Sequence, residues 1–387
     1  MPLRIGLDVT SAVRQGAGIG RITRELLRAL APLDPTNQYR LLYAAPVGAA
    51  NIPLPPLGPN FAARRLPFDD IWLARLWHRA QLPLPVNWLT GPIDLFHAPD
   101  FTLPPTLSGT RTLLTVHDLS FIHDPESAVP VLRAYLNRVV PRSVARAHHV
   151  LADSQATRDD VIAQFGVAPD KVTVLYGGVS PAFRPIRDPA VLAAVRDRYH
   201  LGQSPFVLAV GTLQPRKNYG RLIQAVARQP NSALRLVIAG GKGWMYDTIF
   251  AQAVQSGMQD RVTFAGFAAD EDLPALYSAA RVVAYPSTYE GFGFPILEGF
   301  ACGTPVVTST VSCMPEVAGG AALLAPPTDA DALTAALHQA ATNEGLRASL
   351  IARGQARASE FTWDRATRQL LDTYTALAAR RPPPRGA

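Results

Sequence analysis

The sequence predicts an α/β protein made of two doubly wound parallel-sheet domains. Three observations carry that expectation. The chain has 387 residues, too many for one ordinary hydrophobic core and about right for two. Its 48% hydrophobic and 17% charged content is that of a folded chain, not a disordered one. Short apolar runs recur along the whole length, each followed by a helix-length segment. That alternation marks parallel strands buried on both faces and the helices that cover them.

In the first half the runs are RIGLDV, YRLLYAAP, IDLFHAP, TLLTVHD, HHVLADS and VTVLYGG; in the second they are FVLAVG, LRLVIAG, VTFAGF, RVVAYPS, PVVTS and AALLAP. The opening MPLRIGLDVT is broken by Asp8 too early for a secretory leader and reads as the first buried strand. From Pro46 to Pro92 the chain is crowded with proline and fits poorly into a regular strand–helix repeat. Within it, DDIWLARLWHRAQLPLP reads as one amphipathic helix with two tryptophans. It either packs on its own domain or presents Trp beside Arg to an acceptor or a membrane. The break between the two series falls in the proline- and charge-rich SPAFRPIRDPAV, Ser180 to Val191. The expected division is residues 1–184, 185–360, a terminal helix over 361–380 and a flexible tail over 381–387.

Bulk composition narrows the function. No apolar run approaches the ~20 residues that span a bilayer. Two cysteines, Cys302 and Cys313, make neither a disulfide framework nor a metal cluster, which suits a reduced cytoplasmic setting. The net charge of +7 favours anionic partners. The basic residues are scattered, without the aromatic–basic interleaving of an RNA-binding surface. A phosphorylated small molecule or an anionic inner-membrane surface is therefore expected, and no nucleic acid.

Ligands of open parallel sheets sit at the carboxyl ends of the strands, so the residues closing each run are the candidates. After the first run, Gly16, Gly18 and Gly20 form a pliable loop before a helix. Its amides could hold a phosphate or oxyanion, or it could be a simple turn. The G-x-G-x-G spacing and the lack of an acid after the second strand exclude a dinucleotide fingerprint. TVHDLSFIHDP places His117 and Asp118 at a strand end, where an imidazole could bond a substrate hydroxyl beside an orienting carboxylate. Adjacent His and Asp point apart along an extended chain, which disfavours a metal.

In the second half, AVGTLQPRKN puts Arg216 and Lys217 after Gly211 and Thr212, just before a helix. A fork and a point charge there suit a diphosphate. AGGKGWMYD lacks the spacing of a nucleotide-triphosphate loop. YEGFGFPILEGF holds Glu290 and Glu298 with no basic residue in the segment. A helix is expected to start near Phe294 with Pro295 in its first turn, leaving Glu290 in the loop and Glu298 one turn in, favoured by the helix dipole. Sugar hydroxyls can partner such carboxylates, so protein cations are not required. The acidic triplets at Asp270 and Asp329 sit before helices and read as caps.

E-x7-E followed by ACGTPVV, with GTLQPRKN, GGKGW, HDLSF and GIGRITRELL in order, resembles the retaining nucleotide-sugar glycosyltransferases of family 4 across nearly the whole chain. Within the family it is similar to the bacterial branch containing GDP-mannose-dependent mannosyltransferases of surface-polysaccharide assembly. The resemblance implies the GT-B fold, two Rossmann-like domains facing across a cleft, with the last helix crossing back to the first. It implies a hexose, best read as mannose from GDP-mannose, passed to a glycan or polyprenyl-linked acceptor at the cytoplasmic membrane face, with no cofactor and no metal. By the same resemblance Arg216 and Lys217 hold the diphosphate, beside Gly211 and Thr212. Glu290 and the amides of Gly291, Phe292 and Gly293 hold the donor sugar, with Phe294, Pro295 and Ile296 adjoining. Glu298 takes the ribose hydroxyls, His117 faces the transferred sugar with Asp118 beside it, and the loop at Gly18 approaches phosphates and acceptor. Thr212 departs from members that carry a basic residue there, so the clamp rests on the Arg–Lys pair. A nucleotide-sugar epimerase of the same architecture, or a non-catalytic sugar-nucleotide-binding relative, are the competing readings.

Overall fold

The computed structural model describes residues 2–16, 18–79, 82–230 and 233–379. The expected tail over 381–387 lies outside them.

The first sheet is formed by β1 (Arg4–Asp8), β2 (Gln38–Ala44), β3 (Phe61–Leu66), β4 (Leu95–Ala98), β5 (Arg111–Val116), β6 (His149–Ala152) and β7 (Val172–Val174). Their order is β3-β2-β1-β4-β5-β6-β7, all parallel. The second sheet is formed by β8 (Phe206–Val210), β9 (Arg235–Ala239), β10 (Val262–Gly266), β11 (Val282–Tyr285), β12 (Val306–Ser309) and β13 (Leu323–Ala325). Its order is β10-β9-β8-β11-β12-β13, again all parallel. The central strands are buried on both faces: Phe206, Val207, Leu208 and Ala209 are all fully enclosed, as continuous apolar runs require.

All twelve apolar runs form strands. The strand missing from the sequence reading is β3, FAARRL, whose four middle residues are exposed. An edge strand with one neighbour needs no apolar run, so it left no signal. DDIWLARLWHRAQLPLP is not one regular α-helix. An α-turn at Asp70–Leu73, capped by the Asp69 carboxylate, passes into a π-helical stretch at Ala74–Arg79, and the prolines beyond cannot extend it. Trp77 is buried and donates to the Leu84 carbonyl at 2.8 Å, whereas Trp72 is exposed. Of the acidic triplets, Asp329 does cap its helix, accepting from the amides of Asp331 and Ala332. Asp272, at the start of Leu273–Ala279, instead binds Arg198 and the Tyr199 hydroxyl.

The chain forms two compact units. The first contains residues up to Leu119, Pro130–Gly178 and the segment from Thr362; the second contains Ser120–Val129 and Val179–Phe361. The terminal helix Trp363–Ala379 is fastened into the first unit. Its buried Tyr374 hydroxyl meets His97 Nδ1 at 2.8 Å, and the other nitrogen of His97 meets Thr115 Oγ1 at 2.9 Å. Gln369 donates to the Val174 carbonyl at 2.6 Å. Gly178 lets the backbone pass this helix: a Cβ there would stand 2.2 Å from the Trp363 nitrogen. No helix among the described residues is long and apolar enough to cross a membrane.

Candidate active site

In a doubly wound sheet the ligand crevice opens at the carboxyl ends of the two strands where the winding reverses. In the second unit those strands are β8 and β11, neighbours in the sheet. Their rim loops come from segments some seventy residues apart in sequence, and the topology forces them to meet. Thr288 of the β11 loop donates its amide to the Arg216 carbonyl of the β8 loop at 2.9 Å.

The expected residues converge there. Arg216 Nη1 donates to Glu290 Oε2 at 2.5 Å and to the Tyr289 carbonyl at 2.8 Å. Lys217 Nζ donates to Glu290 Oε1 at 2.6 Å and to the Tyr285 hydroxyl at 2.8 Å. Burial pushes the Glu290 carboxyl up, but Arg216 and then Lys217 hold it down at about 2. Sequence reasoning left Glu290 without protein cations; the structure corrects this. The cations come from a distant segment, which no inspection of the local sequence reveals. Ser312 fixes the loop from beneath, accepting from the Glu290 amide at 3.2 Å and donating to its carbonyl.

Past Glu290 the loop turns at Gly293, whose φ of 101° is left-handed, and the helix begins at Phe294 with a proline in its first turn, as expected. Gly291, Phe292 and Gly293 are buried, while Phe294 and Pro295 are half-buried. Phe292 packs edge-on against Phe294. Ile296, expected beside the ligand, is fully buried and its amide donates to the Gly293 carbonyl, so its part here is packing. Glu298 lies one turn into the helix, buried, with Oε2 accepting from the Tyr277 hydroxyl at 2.7 Å. At the β8 end, Gly211 is committed to the scaffold: its amide donates to the Ala239 carbonyl and its carbonyl accepts from Tyr219. Thr212 follows it on the same turn, half-buried.

Ser120–Val129, lying between β5 and β6 in sequence, belongs to this same unit. Asp124 accepts from the Thr288 hydroxyl, the His123 ring stacks on Tyr289 with centroids 5.3 Å apart, and Trp244 Nε1 donates to the Ser127 carbonyl at 2.6 Å. Sequence order had assigned this decapeptide to the first domain.

In the first unit the corresponding rim gathers the ends of β1, β4, β5 and β6. His117 closes β5, with Asp118 next to it. His117 Nδ1 meets Asp153 Oδ2 at 2.7 Å and Nε2 meets the Pro99 carbonyl at 2.7 Å. Two acceptors on one ring require two N–H groups, the imidazolium form. Burial opposes that charge, but Asp153 and then Asp100 outweigh it and raise His117 to about 9. Burial lifts Asp100 to about 6 and also raises Asp8, at the end of β1. Sequence reasoning missed Asp153, Asp100 and Asp8. Each closes an apolar run or directly follows one, and applying the strand-end rule to every run would have found them.

The glycine loop is partly corrected. The helix starts at Ile19, so Gly20 lies inside it; a Cβ there would stand 2.2 Å from the Gln15 carbonyl oxygen. Gly20 is thus demanded by packing rather than by a ligand. Gly18 takes the position before the helix at φ 58°. Arg24 braces the loop, donating to the carbonyls of Ala12, Gln15 and Gly16 at 2.7 Å each. Among the described residues no group of three or more His, Cys, Asp or Glu could hold a metal ion.

Two family profiles match, "Glycosyltransferase Family 4" over residues 16–183 and "Glycosyl transferases group 1" over residues 195–357. The chain is 33% identical over 374 residues to the O-antigen chain mannosyltransferase B of Escherichia coli, covering 93% of this chain and 96% of that protein. In structure it is similar to the sucrose-phosphate synthase of Thermosynechococcus elongatus, with a TM-score of 0.77 and 22% identity over 97% of this chain and 99% of the other. It is also similar to the Anabaena protein HepE solved with UDP and glucose, with a TM-score of 0.71 and 21% identity over 97% of this chain and all of that one. These structural likenesses establish the GT-B fold.

Proposed function

Because this chain belongs to glycosyltransferase family 4 and is a retaining glycosyltransferase, we propose that it transfers mannose from GDP-mannose to a glycan or lipid-linked acceptor. The setting is surface-polysaccharide assembly, with the acceptor presented at the cytoplasmic face of the membrane. The donor class, a nucleotide sugar, and the acceptor class, a glycan, follow from the family. Mannose is supported by the E. coli relative, itself a mannosyltransferase.

The observation that carries the reading is the Arg216–Lys217–Glu290 cluster. Two cations against one ionised carboxylate leave a net positive charge at the reversal point of the second sheet. A diphosphate entering there meets a guanidinium fork and an ammonium. Their pull grows as charge develops on the departing phosphate. We assign Glu290 two partners in turn: the cations when no donor is bound, and hydroxyls of the donor sugar when one is. Glu298 takes the ribose and the Gly291–Gly293 backbone the sugar. In the first unit we assign His117, held as an imidazolium by Asp153, to the transferred sugar: its Nε2–H leaves the Pro99 carbonyl and donates to a sugar hydroxyl when the donor is bound. Gly18 approaches the phosphates. The acceptor oxygen bonds the anomeric carbon on the face from which the phosphate leaves, and its proton passes to that phosphate oxygen, so configuration is retained.

A panel of nucleotide sugars tests this by thermal stabilisation and by product formation on a mannose-terminated glycan, since a bound donor raises stability by mass action. GDP-mannose is expected to give the largest shift and to support transfer. A shift with another nucleotide sugar and none with GDP-mannose would overturn the mannose assignment.

A further inference from the structure

We propose that the first unit docks on an anionic membrane surface through two adjoining elements, Asp70–Arg79 and the helix Pro130–Arg146. The inference deepens the reading of a lipid-linked acceptor by naming the face that meets the lipid. Between them the two elements carry six arginines and one carboxylate, Asp70. The helix Pro130–Arg146 supplies Arg133, Arg138, Arg142 and Arg146 and has no acidic residue at all.

The first half of that helix is uncovered. Val131 is 80% exposed and Leu132 44%, with Arg133 and Arg138 exposed beside them. The neighbouring element repeats the pattern. Ile71 and Trp72 are more than half exposed, the Arg75 guanidinium lies over the Trp72 ring at 5.1 Å, and Leu82 and Leu84 follow, also exposed. Single exposed apolar residues are ordinary. Here four of the fourteen large hydrophobic residues exposed among the described residues fall in these two elements, and Leu82 and Leu84 lie just past the first.

The elements touch. His78 meets Tyr135 edge-on with ring centroids 6.5 Å apart. Between them runs an open groove of about 480 Å³, lined by Trp77, His78, Pro83, Val139, Arg142 and Arg146. Arg146 is spent on the carbonyls of Leu103 and Pro104. Arg142 is exposed, and among the described residues it forms no ion pair. The groove therefore offers a guanidinium above an apolar wall. Apolar residues interleaved with arginines match a lipid surface whose headgroups are negative and whose interior is greasy. Charge complementarity selects the occupant: an acidic bilayer, rather than a neutral one.

The test is co-sedimentation of the full chain with vesicles of phosphatidylcholine alone and of phosphatidylcholine with phosphatidylglycerol in equal parts. Binding is expected to the mixed vesicles only, and to weaken as salt is raised. Two double variants probe the two components, Trp72→Ser with Val131→Ser and Arg133→Gln with Arg138→Gln. All four positions are exposed, and each pair should lower vesicle binding about tenfold or more while leaving transfer to a water-soluble acceptor unchanged. A chain that transfers sugar normally but ignores the mixed vesicles overturns the docking surface and leaves the transferase reading standing. So do variants that bind as the parent does, or that change only self-association, which would make this face an interface between copies.

Discussion

The carboxyl rims of the two sheets share a topology and differ in charge. At the reversal point of the second sheet, two cations surround one carboxylate, Glu290. At the matching rim of the first, one imidazolium, His117, stands among Asp153, Asp100 and Asp8. Strand order decides where polar side chains gather, and the identity of the residues closing each strand decides the sign of what gathers. A positive rim suits a diphosphate and an acidic rim suits hydroxyl donors, which is the division of labour a sugar transferase requires.

The largest effect is expected from breaking the positive rim. Lys217→Ala should lower kcat/KM about 10²–10³-fold. It should also destabilise the protein by about 3 kcal/mol, because it removes one partner of a buried ion pair. Steady-state kinetics with equilibrium denaturation would check both, and unchanged kinetics would remove Lys217 from the clamp.

At the acidic rim, His117→Asn should lower turnover about 10²-fold while the donor-induced thermal shift survives. The charge at this rim also sets a pH signature. The folded pKa of His117 is raised to about 9 from a model-peptide value of 6.5, so the bonds of its imidazolium stabilise the fold fully below pH 6.5. That stability is lost as pH rises through 9, by about 3 kcal/mol. Denaturation across this window should show the decline, and Asp153→Asn should flatten it. Glu290 has the opposite sign: its contribution is present above pH 4.5 and lost as pH falls through 2.

The smallest effect concerns the decapeptide on the second unit. Thr288→Val deletes the hydroxyl bonded to Asp124 and should lower stability by about 1 kcal/mol. A few-fold rise in donor KM should accompany it, with kcat little changed. If Asp124→Asn shifts KM as well, the pair positions the Tyr289–Glu290 loop; identical kinetics in both variants would show that it does not.

Much of this was legible in the sequence because buried parallel strands leave continuous apolar runs, and all twelve were found. The edge strand β3 was not, since FAARRL has only one neighbour and mostly solvent around it. The residue types at the rims were legible from position alone, yet their pairing was not. Glu290 meets Arg216 because β8 and β11 are neighbours, a relation set by strand order and absent from local sequence. Asp153 was overlooked for a different reason: it precedes Ser154, which caps the following helix, and the stretch reads as an ordinary strand-to-helix turn.

The chain passes between its two units four times, after Leu119, Val129, Gly178 and Phe361. Neither unit is therefore a contiguous stretch of polypeptide. A hybrid enzyme made by joining two relatives at Gly178 would inherit the wrong decapeptide against Thr288, Tyr289 and Trp244, and the wrong terminal helix against His97. Donor preference can be transplanted between relatives only if residues 120–129 travel with the second half and the last helix stays with the first. Single-junction recombination should yield poorly folded progeny, and a graft that moves both second-unit segments, 120–129 and 179–361, should succeed where it fails.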